Sequence, residues 1–218
     1  MTIEAEVLGL FAEEAAARLT GELRTASSII LTGGTTAAQV YERLPARTFR
    51  SGASIFFSDE RCVPPDHEAS NYAMAAARLP LEESLNVHRM RGEDDPEQAA
   101  AGYHSTLSSW VGRGIDVALL GLGADCHVAA LFPHSFALEP GERLCAAVER
   151  PDGLRGLTLT PAALRLAARV FLVAKGRGKA EAVSRLLRGD EPMEDCPARL
   201  LTDHPRVTLL GDGESIRL

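Results

Sequence analysis

Short apolar runs alternate with amphipathic stretches along nearly the whole chain. Residues 11–23 place Phe11, Ala15, Leu19 and Leu23 on one side of a helix of 3.6-residue period. Residues 28–31 form a brief apolar run that ends at Gly33-Gly34, as a buried strand would, and residues 36–44 read as a helix stopped by Pro45. A second strand is predicted at 53–57, then a loop over 58–68 that contains Pro64-Pro65. An alanine-rich helix follows at 69–79 and a short strand at 87–90. Residues 96–110 predict a helix with Pro96 in its first turn and Asp94-Asp95 at its positive end. The run Ile115-Asp116-Val117-Ala118-Leu119-Leu120 has the apolar content of a strand covered on both faces. Further strands are expected at 144–148, 157–160, 170–174 and 207–210, and a helix at 178–187. Strands alternating with helices predict an α/β fold, a Rossmann-like and mainly parallel sheet with helices on both faces. No repeat, linker or low-complexity tract interrupts the pattern, so the expectation is a single domain over residues 1–218.

Charge and composition narrow the partners. A net charge of −7 argues against a general binder of nucleic acid or anionic membrane, while leaving room for a local basic pocket. No apolar run approaches the ~18 residues of a membrane span. The start, Met-Thr-Ile-Glu-Ala-Glu, lacks the basic segment of a signal peptide, so a cytoplasmic protein is expected. Cys62, Cys126, Cys145 and Cys196 form no Cys-x-x-Cys pair, and the isolated histidines add no metal-ligand spacing. No metal and no cofactor are expected, and the four thiols are expected to be free. Nothing in the sequence fixes an oligomeric state.

The chemistry concentrates in three loops that follow strands. Gly121-Leu122-Gly123-Ala124-Asp125-Cys126-His127 presents an acid and an imidazole two residues apart at the end of the central strand. In open α/β sheets, the carboxyl ends of the strands are where ligands bind. Two readings stand at this point: an orienting acid with a general base, or a turn whose aspartate caps the next helix. Gly33-Gly34-Thr35-Thr36 joins a strand to a helix, where backbone N–H groups and the helix dipole favour an anion. The alternative there is a tight turn with Thr35 as the cap. Neither loop continues into a Walker or dinucleotide-binding pattern, which leaves nucleotide binding unsupported. The third loop, Lys175-Gly176-Arg177-Gly178-Lys179, puts a lysine in the first turn of a helix, a place unfavourable to a cation unless an anion sits there. A fourth segment, Ser58-Asp59-Glu60-Arg61, offers a guanidinium suited to clamping an oxyanion, and Asp59 to contact a sugar hydroxyl. An internal salt bridge is the competing account, above all for Glu60. Asn71 and Tyr72 are expected to cap and pack the helix that follows.

The blocks taken together resemble the 6-phosphogluconolactonase family. The stretch from Gly121 to Pro133 is similar to that family's Gly-x-Gly-x-Asp-Gly-His-Thr-Ala-Ser-Leu-Phe-Pro signature, and four other blocks match in order. They are Ile30 to Thr36, Phe57 to Pro64, Thr158 to Pro161 and Gly176 to Ala180. The resemblance implies hydrolysis of 6-phospho-D-glucono-1,5-lactone, with His127 as general base, Asp125 orienting it and Arg61 steadying the oxyanion. It also implies that Gly33, Gly34, Thr35, Thr36 and Lys179 hold the phosphate. Arg155 is a further phosphate candidate, although its spacing to Thr158-Leu159-Thr160 is one residue longer than the family's. Cys126 replaces the family glycine, so a positive φ there would carry strain. The related glucosamine-6-phosphate deaminases share these loops but carry Asn-Glu-Pro where this chain has Leu131-Phe132-Pro133. An enzyme of that type, and a non-catalytic sugar-phosphate-binding regulator, are the alternatives.

Overall fold

The computed structural model describes residues 3–81 and 83–217. Its main sheet has seven strands in the order β1-β10-β9-β6-β2-β3-β5, and all neighbours run parallel. The strands are β1 (Glu4–Leu8), β2 (Ser28–Leu31), β3 (Ser54–Phe57), β5 (Asn86–Val87), β6 (Ile115–Gly121), β9 (Ala167–Ala174) and β10 (Val207–Asp212). A second, antiparallel sheet of three strands comprises β4 (Asp59–Arg61), β8 (Arg155–Leu159) and β7 (Cys145–Glu149), in that order.

Strand periodicity divides the core in two. Ile29, Leu31, Ile55, Phe57, Val117, Leu119, Phe171 and Val173 point to one face. There they meet α1 (Phe11–Thr25), α2 (Thr35–Tyr41) and α3 (Asn71–Ala76). Ile30, Phe56, Ala118, Leu120, Val170, Leu172 and Ala174 point to the other. That face is covered by α4 (Pro96–Ser108), α5 (Pro161–Leu164), α6 (Ala180–Arg188) and the small sheet. Both faces are therefore dry, which is why the strands read as unbroken apolar runs rather than alternating ones. Among the described residues, no helix is long and apolar enough to cross a membrane.

The sequence expectations hold for the central strands and the long helices and fail in three places. Strand β1 is missed because it pairs only on one side, with β10, and buries Leu8 alone, leaving Glu4 and Val7 exposed. The segment 58–68 is not wholly loop, since Asp59–Arg61 pairs antiparallel with β8. The third correction concerns the thiols. Cys126 and Cys196 are joined in a disulfide across 70 residues, with Cα atoms 4.9 Å apart; Cys62 and Cys145 are free. Pairing distant cysteines depends on the fold and leaves no trace in local spacing. Burial pushes the free Cys145 thiol up to about 12, so it is inert as a nucleophile near neutrality.

Closing a loop of this size restricts the unfolded chain, an effect worth about 4 kcal/mol on the chain-entropy account. Dithiothreitol is therefore expected to lower Tm by several degrees in the wild type and to leave a Cys196→Ser variant unchanged. An identical Tm with and without reductant would show that the two thiols are free in solution.

Candidate active site

The order of strand addition reverses between β2 and β6. The chain grows outward from β2 to β3 and β5, then returns to lay β6 on the opposite edge of β2. The crevice at the carboxyl ends of strands on either side of such a switch is the natural ligand site of a parallel sheet. Here it is a cleft of about 170 Å³, lined by Thr32 to Thr36, Asp59, Arg61, Asn71, Gly121 to Gly123, His127, Ala129, Arg150, Val173 and Lys179. A larger cavity, about 850 Å³, lies between α4 and the segment before β7. It holds none of the glycine loops or the acid–imidazole pair, so the smaller cleft is the candidate site.

His127 and Asp125 form a close pair, with Nδ1 2.5 Å from Asp125 Oδ1. The carboxylate also accepts the His127 backbone N–H at 3.3 Å. The ionised acid needs a donor, which places the imidazole proton on Nδ1 and leaves the Nε2 lone pair free. Burial raises the Asp125 pKa, but the hydrogen bond and charge of His127 outweigh it and hold the carboxyl below its usual value. The turn that aims this pair is closed by Gly123 N–H to His127 O at 2.8 Å and Cys126 N–H to Gly123 O at 3.1 Å. A Cβ on Gly123 would collide with both the imidazole and the Asp125 carboxylate. Cys126 has φ 72°, the left-handed conformation that the family's glycine would hold without strain.

The two glycine loops have nearly the same backbone. Gly34 (φ 91°, ψ 161°) ends the β2 loop and Gly176 (φ 85°, ψ 161°) the β9 loop. Gly34, not Thr35, occupies the N-cap of α2, and no side chain caps that helix. Lys179 stands at the N-cap of α6 after a turn of 3₁₀ helix. It is half-buried, and burial lowers its pKa against the opposing pull of Asp125.

Asp59 is buried and held by Ser58 Oγ at 2.7 Å and Asn71 Nδ2 at 2.9 Å. Among the described residues, Glu60 forms no salt bridge. Its carboxylate accepts hydrogen bonds from the N–H groups of Arg61, Asn71 and Tyr72 and from Ser70 Oγ. Burial nevertheless raises its pKa. Arg61 donates through Nη1 to Ala69 O, while its buried Nε has no partner.

Two expectations need correction. Arg155 does not reach the cleft, because its side chain leans outward to Glu149 at 3.1 Å and Glu97 at 3.4 Å. Arg150 lines the cleft instead. The helix after the Asp59 loop is capped by Ser70, whose Oγ accepts the Ala73 N–H, whereas Asn71 turns into the cleft. Its buried Oδ1 is left without a hydrogen-bond partner. Neither Arg150 nor Asn71 carries a one-dimensional signal, since each arrives from an element that only tertiary packing brings near.

The family profile of glucosamine-6-phosphate isomerases/6-phosphogluconolactonase matches residues 3–209. A 6-phosphogluconolactonase of Synechocystis is 36% identical over 210 residues, covering 89% of this chain and 86% of the relative. A human protein of the same name is 34% identical over 212 residues, covering 89% and 81%. Among solved structures, a 6-phosphogluconolactonase from Trypanosoma cruzi superposes with TM-score 0.84 at 26% identity, covering 99% of this chain and 97% of the other. A monomeric glucosamine-6-phosphate deaminase shares the fold at TM-score 0.82 and 22% identity. With the match running through nearly every strand and loop of the cleft, this chain belongs to the glucosamine-6-phosphate isomerase/6-phosphogluconolactonase family.

Proposed function

We propose that the protein hydrolyses 6-phospho-D-glucono-1,5-lactone to 6-phospho-D-gluconate, the lactonase step of the oxidative pentose phosphate route. The observation that carries this reading is the Asp125–His127 pair, with Nε2 free, in a cleft that also holds two glycine loops and Lys179. A lactone is an activated ester, so a positioned base and a polarised carbonyl suffice. Nε2 takes a proton from the water that attacks C1, and Nδ1–H remains bonded to Asp125, which stabilises the imidazolium. Arg61, which lines the cleft, steadies the oxyanion. Collapse of the tetrahedral intermediate breaks the C1–ring oxygen bond, and the imidazolium returns its proton to the departing alkoxide. The loop Gly33-Gly34-Thr35-Thr36 and Lys179 hold the phosphate, which fixes C1 over His127. Asp59 contacts a sugar hydroxyl. We assign this role to one unit spanning residues 1–218, acting in the cytoplasm on a small molecule rather than on nucleic acid or membrane, as the net charge of −7 supports.

The test is hydrolysis of freshly generated 6-phosphogluconolactone above its spontaneous rate. His127→Ala is expected to lower kcat by roughly 10²–10⁴-fold, the range for a positioned base, without loss of fold. Near-normal turnover would remove His127 from the mechanism.

Lys179 gives a prediction in pH. A bound phosphate restores the pKa that burial lowers, so binding takes up a proton on the alkaline side. Affinity for 6-phosphogluconate is then present below the lowered pKa of the free protein and declines as pH rises through the window up to the restored value. Calorimetry in buffers of different ionisation enthalpy should detect proton uptake in the wild type and none in Lys179→Met. Identical uptake in both would place Lys179 away from the phosphate.

Phe132 separates this chemistry from amino-sugar isomerisation. Its ring centroid lies 4.6 Å from that of His127, and a phenyl ring neither gives nor takes a proton. No acid lies between Asp125 and Glu139 to replace the deaminases' glutamate. Glucosamine 6-phosphate is therefore expected to release no ammonia. Ammonia at a rate comparable with lactone hydrolysis would overturn the lactonase assignment.

A further inference from the structure

Arg150 enters the cleft from the β7–β8 turn, a direction that no motif announces. Its side chain is 9% exposed, and its guanidinium is tethered along one edge. Nε and Nη2 donate to the Asp152 carboxylate at 3.1 Å and 3.0 Å. The Cζ atom lies 5.4 Å from the Phe132 ring centroid, a cation–π distance. Nη1 lies 3.9 Å from Asp59 Oδ2, too far for a hydrogen bond. The arginine is thus held in place by one set of nitrogens, while Nη1 has no hydrogen-bonded side-chain partner.

Its route exists because of Gly156. A Cβ at that position would stand 2.8 Å from Arg150 Cδ and 3.1 Å from Glu60 O, tighter than real side chains tolerate. Arg155, one residue earlier in β8, leans away to Glu149 and Glu97. So β8 contributes the gap, and the turn before it contributes the charge.

We propose that Arg150 is a substrate-binding residue for the phosphate of the lactone, admitted by Gly156 and pre-oriented by Asp152. This rests on the lactonase reading. The charges of cleft and substrate point to the phosphate. Arg61, Arg150 and Lys179 line the cleft with Asp59, while Asp152 and Asp125 stand outside the lining, beside Arg150 and Lys179; the phosphate is the one anionic group on the substrate, and so the group that a guanidinium with a free Nη1 would take. A lactone ring is neutral. An arginine already fixed by packing and by Asp152 loses little freedom on binding, so most of its contact energy appears as affinity.

The experiment compares Arg150→Met and Gly156→Ala with the wild type, Tm being measured for each. Arg150→Met keeps the apolar stem against Phe132, and Gly156→Ala displaces the guanidinium without removing it. Both are expected to lower kcat/KM for the phosphorylated lactone by roughly 10–100-fold, the scale of a charge-assisted contact, and mainly through KM. Unphosphorylated glucono-1,5-lactone should be hydrolysed within about twofold of the wild-type rate in both variants. Calorimetric affinity for inorganic phosphate should fall in parallel. Arg150→Lys, which keeps charge but loses the planar fork, should recover part of the loss and replaces Arg150→Met if that variant does not fold. Equal losses on the two lactones, or unchanged phosphate affinity, would overturn the proposal. A wild type with no lactonase activity, whose phosphate affinity still depends on Arg150, would instead overturn the lactonase reading and leave the arginine's role standing.

Discussion

Where β2 lies beside β6, two parallel strands distant in sequence end at the same edge, and the Gly33 loop, the Gly123 loop and His127 are placed from that edge. The pairing itself is short, with Ile29 opposite Val117 and Ile30 opposite Ala118. Its strength comes from burial, because these side chains are shut off from water on both faces. Leu31 and Leu120 then deliver the Gly33 and Gly123 loops together, and β9 on the other side of β6 delivers Lys179. A slip of one residue would exchange the two faces of a strand and rotate each loop away from the crevice. The apolar runs therefore fix the geometry of polar groups that they never touch.

The turn carrying His127 shows what that geometry costs. Cys126 at φ 72° bears a strain of about 1–2 kcal/mol that glycine would not. Two contacts oppose it. The Cys126 carbonyl accepts the Ala198 N–H at 2.9 Å, and the sulfur is bonded to Cys196. Both tie this turn to residues 196–198. The strained residue thus sits directly between the two members of the acid–imidazole pair.

What was legible in the sequence follows from how local each signal is. Strands β2, β3, β6 and β9 are buried on both faces, so their composition announces them, and the glycine loops that follow carry their own conformational demand. Gly34 and Gly176 need positive φ, which a single residue type reveals. Arg150 is different. Its place depends on Gly156, six residues away in sequence and across a turn, and on Phe132, contributed by a separate loop. Arg155 is a candidate only through the resemblance of its block to the family's, whereas β8 turns its side chain outward. Strand β1, the disulfide and Asn71 escaped for the same reason, since each is defined by a partner and not by its own neighbours.

Glu60 ties these threads together. A carboxylate buried this deeply is costly, as its raised pKa records, and it takes no part in lining the cleft. Three of its four hydrogen bonds, from Ser70, Asn71 and Tyr72, pin the start of α3 to β4. That pins Asn71, whose amide donates to Asp59 on one side and fills the space over Gly33 on the other. Gly33 belongs to the glycine loop of β2, and Asp59 to the neighbour of Arg150. A single buried acid outside the cleft thereby couples the Gly33 loop and Asp59 through Asn71. Replacing those hydrogen bonds with an apolar side chain would relieve the desolvation but release both, so the buried charge is better understood as a positioning device than as a source of stability.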